Sequence, residues 1–186
     1  GVMDVLEDSS GNGGAAVSAY AAAGGMNATI FVPSSTSPAK TVQSRAAGAA
    51  IQLIPGSRQD CADAALAESA RLFYASHNWN PFFIQGVKTV AYEIWEYMHA
   101  YDPGLKKANV VGGANGDART PDWVVVPGGY GSMALGAYYG FKDLLKWGRI
   151  AKMPRLVMVQ AANCAPIHKA YVEGSTRVEP IQGGHT

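Results

Sequence analysis

Ser9, Ser10 and Asn12 place two hydroxyls and one amide within four residues, interleaved with Gly11, Gly13 and Gly14. Hydroxyls and amides both donate and accept hydrogen bonds, and an amide can grip an oxygen on an aromatic ring. A second cluster, Pro127-Gly128-Gly129-Tyr130-Gly131-Ser132, offers backbone N–H groups more than side chains. Each cluster joins an apolar run to a helix-forming run: Val2–Leu6 to Ala15–Ala23, and Trp123–Val126 to Met133–Trp147. A glycine turn that opens a helix exposes unpaired N–H groups at the positive end of the helix dipole. Such a turn holds phosphate or another anion. Alone, the first turn reads as an ordinary capped helix start, with Ser and Asn as caps and the glycines as turn formers. Two turns of one design in a small α/β chain point instead to a phosphorylated ligand at the C-terminal edge of a sheet.

The elements that must position these turns alternate. Strands are expected at Val2–Leu6, Thr29–Val32, Ile51–Ile54, Trp123–Val126 and Leu156–Val159, with a short one at Phe82–Ile84. The Trp123 and Leu156 runs are continuously apolar, as in strands buried on both faces. Ser37 and Pro38 open a helix that runs to about Ala47 and stops at Gly48. Asp60 is expected to cap a helix over Cys61–Ala75, with Ala64, Leu66, Ala67, Leu72 and Phe73 near one side. Lys88–Ala100 carries an apolar stripe of helical period, and Tyr101–Pro121 reads as a polar surface excursion. The tail from Ala161 shows no clear period. Alternating β and α signals imply an α/β fold of mostly parallel sheet with flanking helices. Two lobes are expected, 1–85 and 86–186, the first smaller.

Bulk properties exclude several classes. The 186 residues carry a formal net charge of +1 and 48% hydrophobic residues, a globular composition with no polyanionic partner such as nucleic acid implied. Lys106-Lys107 is an isolated pair. No apolar stretch reaches the roughly 18–20 residues of a membrane helix, so no membrane partner is expected. No basic, apolar leader pattern is present. Cys61 and Cys164 fit free thiols in a cytoplasmic protein. His77, His99, His168 and His185 lack the spacing of a helical metal site, so no metal is expected. The first apolar run has nothing before it to pair with, which suggests a central fragment incomplete at both ends.

A dinucleotide site is the obvious rival for the second turn, since Gly129 to Ala134 fits G-x-G-x-x-A. A lone match is weak. The following strand ends in Gln160-Ala161-Ala162, without the acid that would bind ribose hydroxyls. No Gly-Lys-Ser/Thr follows the turn, so it is not a P-loop either.

The segment Asp8-Ser9-Ser10-Gly11-Asn12-Gly13-Gly14-Ala15-Ala16 resembles the S-S-G-N-x-A-A loop of fold-type II pyridoxal-phosphate enzymes, the tryptophan synthase beta superfamily. Ile30-Phe31-Val32-Pro33, Pro38-Ala39-Lys40 and Gly48-Ala49 match that family's next strand and helix. Asn80-Pro81, Gly86-Val87-Lys88-Thr89 and Glu93-Ile94 resemble the N-P, G-x-K-T and E-I positions of threonine synthases. Residues Pro121 to Gly131 resemble their P-D-W-x-V-V-P-x-G-N-G turn. Gly140-Phe141-Lys142-Asp143-Leu144 and the run from Pro154 to Ala161 complete the series in family order.

The resemblance implies a two-lobed enzyme with pyridoxal 5'-phosphate as cofactor. It implies that Asn12 binds the ring's 3' oxygen and that Gly128, Gly129, Tyr130, Gly131 and Ser132 cradle the 5'-phosphate. Ser9, Ser10 and Gly11 would then sit beside the carboxylate or phosphate of a small amino-acid phosphate. Lys88 matches a family position where it would meet substrate phosphate; the plainer alternative is a solvated residue of a first helical turn. The implied reaction is that of threonine synthase, O-phosphohomoserine to threonine and phosphate, with the cofactor as electron sink. Another fold-type II dehydratase or ammonia-lyase, or a non-catalytic phosphate- or cofactor-binding fragment, remains open. Family members are often dimers, which puts a homodimer among the expected partners. The Schiff-base lysine of the family lies upstream of the Asn loop, so no catalytic residue is expected in this chain. Lys142 follows Phe141 in a superficial mimic of that segment and reads as a surface helix lysine. Two departures stand out: Tyr130 replaces the family's Asn, and Gly13-Gly14 replaces Thr-Ala, which is expected to loosen the first helical turn.

Overall fold

A computed structural model describes residues 1–77, 79–100 and 120–179. The expected excursion Tyr101–Pro121 thus falls outside the described residues except for Thr120 and Pro121, as does His185. The chain divides into two compact units, Gly1–Pro81 and Phe82–Thr186.

The first unit is built on four parallel strands. β1 (Asp4–Glu7) passes through the Asn turn into α1 (Asn12–Ala23), then β2 (Asn27–Pro33). A 3-10 turn at Pro38–Thr41 leads into α2 (Val42–Ala46), β3 (Ala50–Ile54), α3 (Arg58–Glu68) and β4 (Phe73–Tyr74). The sheet order is β3-β2-β1-β4, so β1 is internal. Successive residues of β1 face opposite sides. Val5 packs with Ala21, Ile30, Val32 and Ala49, whereas Leu6 packs with Phe31 and Ala65 of α3. Each fully buried aliphatic side chain contributes about 1.5–3 kcal/mol.

The second unit pairs β5 (Trp123–Pro127) in parallel with β6 (Arg155–Val159). Helices α4 (Phe83–Val87), α5 (Thr89–Ala100), α6 (Ser132–Lys146) and α7 (Pro166–Val172) complete it. Phe141 and Leu144 of α6 and Ala91 of α5 form a core with Val124 and Val126. Gly136 and Gly140 let the helices touch. A Cβ on Gly136 would meet Val87 Cγ1 at 2.4 Å, and one on Gly140 would meet the Lys88 carbonyl oxygen at 2.5 Å.

Several expectations need correction. The helix expected over Cys61–Ala75 ends at Glu68, and Phe73 and Tyr74 pair with Val5 and Leu6 instead. The edge of β1 takes up these two residues, a tertiary contact that local pattern does not encode. Asp60 does not cap that helix. Ser57 is the N-cap, and Asp60 is its capping-box partner, accepting from the Ser57 N–H at 2.5 Å. The buried side carries Cys61 and Ala65, while Leu66 is exposed. Phe82–Ile84 forms no strand; these residues enter α4, with the Gln85 N–H bonded to the Phe82 carbonyl. The strands β5 and β6 are not buried on both faces: Val125 is 65% and Val159 56% exposed, because α6 packs on one side. The unpatterned tail contains α7, opened by Pro166.

Candidate functional site

The Asn turn lies at the C-terminal end of an internal parallel strand, where α/β sheets bind ligands. Helix α1 begins earlier than the sequence suggests, so Asn12 is its first residue and Gly11 its N-cap. Gly11 has no side chain with which to cap it. Ser9 Oγ instead accepts from the Gly11 N–H at 3.3 Å, which closes the turn outside the helix. The first helical N–H groups therefore have no intrahelical acceptor and receive none from the N-cap residue. Asn12 and Gly11 are exposed, and Ser9 and Ser10 half-buried.

The two glycines after Asn12 have a packing reason. A Cβ on Gly14 would stand 2.1 Å from the Ser9 carbonyl oxygen. One on Gly13 would meet Ser9 Cβ and Oγ at 3.1 Å and His77 Nδ1 at 3.3 Å. The helix start nests on Ser9, and only glycine at position 14 permits that approach. The Ser18 hydroxyl adds a 2.6 Å bond to the Gly14 carbonyl. The expected loosening by Gly13-Gly14 is thus a close fit.

Beneath the turn is a charged cluster that sequence reasoning missed. Glu7 and Asp8 are both buried, Asp8 to 1% exposure. Asp8 ion-pairs with Arg58 of α3 and accepts from the Ser76 hydroxyl at 3.3 Å. Burial pushes the neighbouring Tyr74 phenol up. Glu7 Oε1 lies 3.0 Å from His77 Nδ1, and this hydrogen bond raises the His77 pKa against the opposing effect of burial. His77 is therefore a partner of a buried acid. The signal available in the sequence was the pair Glu7-Asp8 directly after apolar residues, an expensive place for two carboxylates.

The second turn is braced differently. The Gly128 N–H donates to the Val159 carbonyl at 2.7 Å. The Gln160 amide donates to the Gly128 carbonyl at 2.9 Å, while its Oε1 accepts from the N–H groups of Ile167 and His168, each at 3.0 Å. One neutral side chain thus ties the turn to the start of α7. A Cβ on Gly128 would meet Met158 Cγ at 2.5 Å, whereas Gly129 faces open space and Tyr130 is exposed. Gly131 has φ +82°, a left-handed backbone that turns the chain into α6, and as its N-cap it brings no side-chain acceptor. Ser132 is its first residue. Among the described residues no group of His, Cys, Asp or Glu side chains is arranged to hold a metal.

The profile of the family described as "Pyridoxal-phosphate dependent enzyme" matches residues 1–185. The chain belongs to this family. Pyridoxal phosphate is the cofactor of its members. The chain is 32% identical over 168 residues to the chloroplastic threonine synthase 2 of Arabidopsis thaliana, covering 89% of this chain and 29% of that protein. It is 26% identical to the threonine synthase of Methanocaldococcus jannaschii, over 96% of this chain and 40% of the relative. This pyridoxal-phosphate family chain thus spans less than half the length of these curated relatives. Among solved structures, holo diaminopropionate ammonia lyase from Escherichia coli superposes with a TM-score of 0.75 at 19% identity, over 99% of this chain and 44% of that one. The processed form of threonine deaminase isoform 2 from Solanum lycopersicum gives 0.72 at 20% identity, over 95% and 43%. These likenesses show the fold of the family, parallel sheets with flanking helices.

Lys88 and Asp143 of the family-like segments meet each other. Lys88 Nζ lies 2.5 Å from Asp143 and 3.0 Å from Gln85 Oε1, with 17% of its side chain exposed. The Tyr92 hydroxyl donates to Asp143 at 2.9 Å. The Lys88 ammonium holds the Asp143 carboxyl below its ordinary value, and burial pushes Tyr92 up to about 12. Lys88 thus ties the α4–α5 junction to α6 and is not a solvated side chain. Lys142 is exposed, with its ammonium 5.7 Å from the Tyr138 ring.

Proposed function

We propose that this chain carries the cofactor- and substrate-gripping turns of an enzyme that converts O-phosphohomoserine to threonine and phosphate. The observation that supports it best is a pair of helix starts. α1 and α6, the helices after the two glycine turns, open on glycine N-caps that bring no side-chain acceptor, and the short α2, α4 and α7 lack such a cap too but follow no glycine turn. Uncapped N–H groups at a dipole's positive end suit an anion. The curated threonine synthases support the choice of reaction.

The donors of each turn suit one part of a phosphorylated ring. In this reading residues 128–132 take the cofactor's 5'-phosphate through backbone N–H groups, a role that tolerates Tyr130 in place of Asn. Asn12 donates to the ring's 3' oxygen. Ser9, Ser10 and Gly11 receive the substrate's carboxylate or phosphate. Bound there, pyridoxal phosphate supplies an electron sink for charge developing on the amino acid. Lys88 reaches a substrate phosphate only by leaving Asp143, so we assign it to bracing the α5–α6 pair. The lobe of residues 1–85 would carry the Asn turn and that of 86–186 the phosphate turn. A cytoplasmic workplace, suited to the free thiols Cys61 and Cys164, and a homodimer complete the proposal.

The full-length gene product, given pyridoxal phosphate and O-phosphohomoserine, is expected to release threonine and inorganic phosphate in equal amounts. Ammonia and a 2-oxo acid from threonine or serine, with no phosphate release, would instead make it a dehydratase on the same fold.

A further inference from the structure

We propose that Glu7 and His77 form the positioning device of the Asn12 turn: a histidine cation seated on a buried carboxylate lies against Gly13 and holds the first turn of α1 in place, and so couples that turn's grip on an anionic ligand to the protonation of His77. The coupling to a ligand rests on the function proposed above; the positioning itself does not.

Glu7 is the last residue of β1, and its side chain is fully buried. A buried carboxylate requires a counter-charge and hydrogen-bond donors. His77 supplies both at Oε1, and Oε2 has no partner among the described residues. The same imidazole reaches the helix start. The Cβ position of Gly13 falls 3.3 Å from His77 Nδ1 and 3.1 Å from Ser9 Cβ and Oγ, so the ring and Ser9 each pack against Gly13. Ser9 Oγ then accepts from the N–H of Gly11, one residue before Asn12. Glu7 thus meets His77, the His77 ring and Ser9 both lie against Gly13, and Ser9 meets Gly11.

Among the described residues, the charges acting on His77 include Glu7 at the end of β1, Asp8 just beyond it and Arg58 of α3. Asp8 and Arg58 are paired with each other, and the hydrogen bond to Glu7 is the largest influence on the ring. The hydrogen bond to Glu7 raises the His77 pKa. The pair is therefore fully formed below the ordinary histidine value of about 6.5 and loses its charge as pH rises through the raised value. Above it, Glu7 keeps a hydrogen bond and loses its counter-ion.

The test uses the full-length gene product labelled with 15N-glycine and titrated from about pH 5.5 to about pH 9. The amide shifts of Gly11 and Gly13 are expected to follow one step with a midpoint above the ordinary histidine value. The step disappears in His77→Gln, which keeps a hydrogen bond to Glu7 without the charge, and in Glu7→Gln. Should Glu7→Gln fail to fold, His77→Gln carries the test alone. In turnover, KM for O-phosphohomoserine is expected to rise about fivefold across the same step while kcat changes less than twofold, and both are flat in His77→Gln. Glycine amides that ignore the His77 titration overturn the inference. Titrating amides in a protein inert toward O-phosphohomoserine would keep the positioning pair and remove the proposed substrate.

Discussion

The two glycine turns lead into helices in the same way and are held in opposite ways. The Asn turn stands on buried charges: Glu7 with His77, and Asp8 with Arg58. The second turn stands on one neutral amide, Gln160, and on glycine backbone pressed against Met158. A charged support can be switched by a proton, whereas a neutral one cannot. The difference assigns pH sensitivity to the first turn and constancy to the second.

The largest expected effect comes from Gly14→Ala. Its Cβ would stand 2.1 Å from a backbone oxygen that has no flexible end to yield. Overpacking of this kind costs about 3 kcal/mol or more, and urea unfolding should show the loss. The matched change at the other turn, Gly128→Ala, meets the Met158 side chain at 2.5 Å, which can move, so about 1–2 kcal/mol is expected. A smaller cost for Gly14→Ala than for Gly128→Ala would break the comparison.

Gln160→Ala sharpens it. The substitution strands the Gly128 carbonyl and two N–H groups of α7, for a loss of about 1–3 kcal/mol that is the same at pH 6 as at pH 8.5. The Glu7–His77 pair contributes about 1 kcal/mol, present near pH 6 and fading as pH rises through the raised His77 value. Subtracting the His77→Gln stability profile from that of the parent should isolate it. The smallest effect belongs to Gly129→Ala, which enters open space and should leave stability within about 0.5 kcal/mol.

Legibility in the sequence followed locality. Helix α5 announces itself by period, and α6 by the glycine turn before it, which also holds the αL position of Gly131. The strand at Phe73 and Tyr74 does not, because two residues have no pattern and their conformation is set by the edge of β1. Asp8 meets a partner 50 positions away and Glu7 one 70 positions away, so their pairing needs the fold before it can be seen. Gly13-Gly14 shows the subtler failure. Propensity counts two glycines in a helix as a loss, but a carbonyl 2.1 Å from the missing Cβ makes one of them a requirement. Asn12, Ser9 and Gly131 were legible as residues of interest because backbone donors at glycine turns carry a local signature. The charged floor beneath Asn12 was not.

The central claim is that uncapped N–H groups after the second turn receive a phosphate. The direct measurement compares pyridoxal phosphate with pyridoxal in the 15N-glycine spectrum of the full-length protein. The amides of Gly128, Gly129 and Gly131 are expected to shift with the phosphorylated compound and to stay in place with pyridoxal. Equal shifts with both compounds, or none with either while the cofactor is bound, would contradict it.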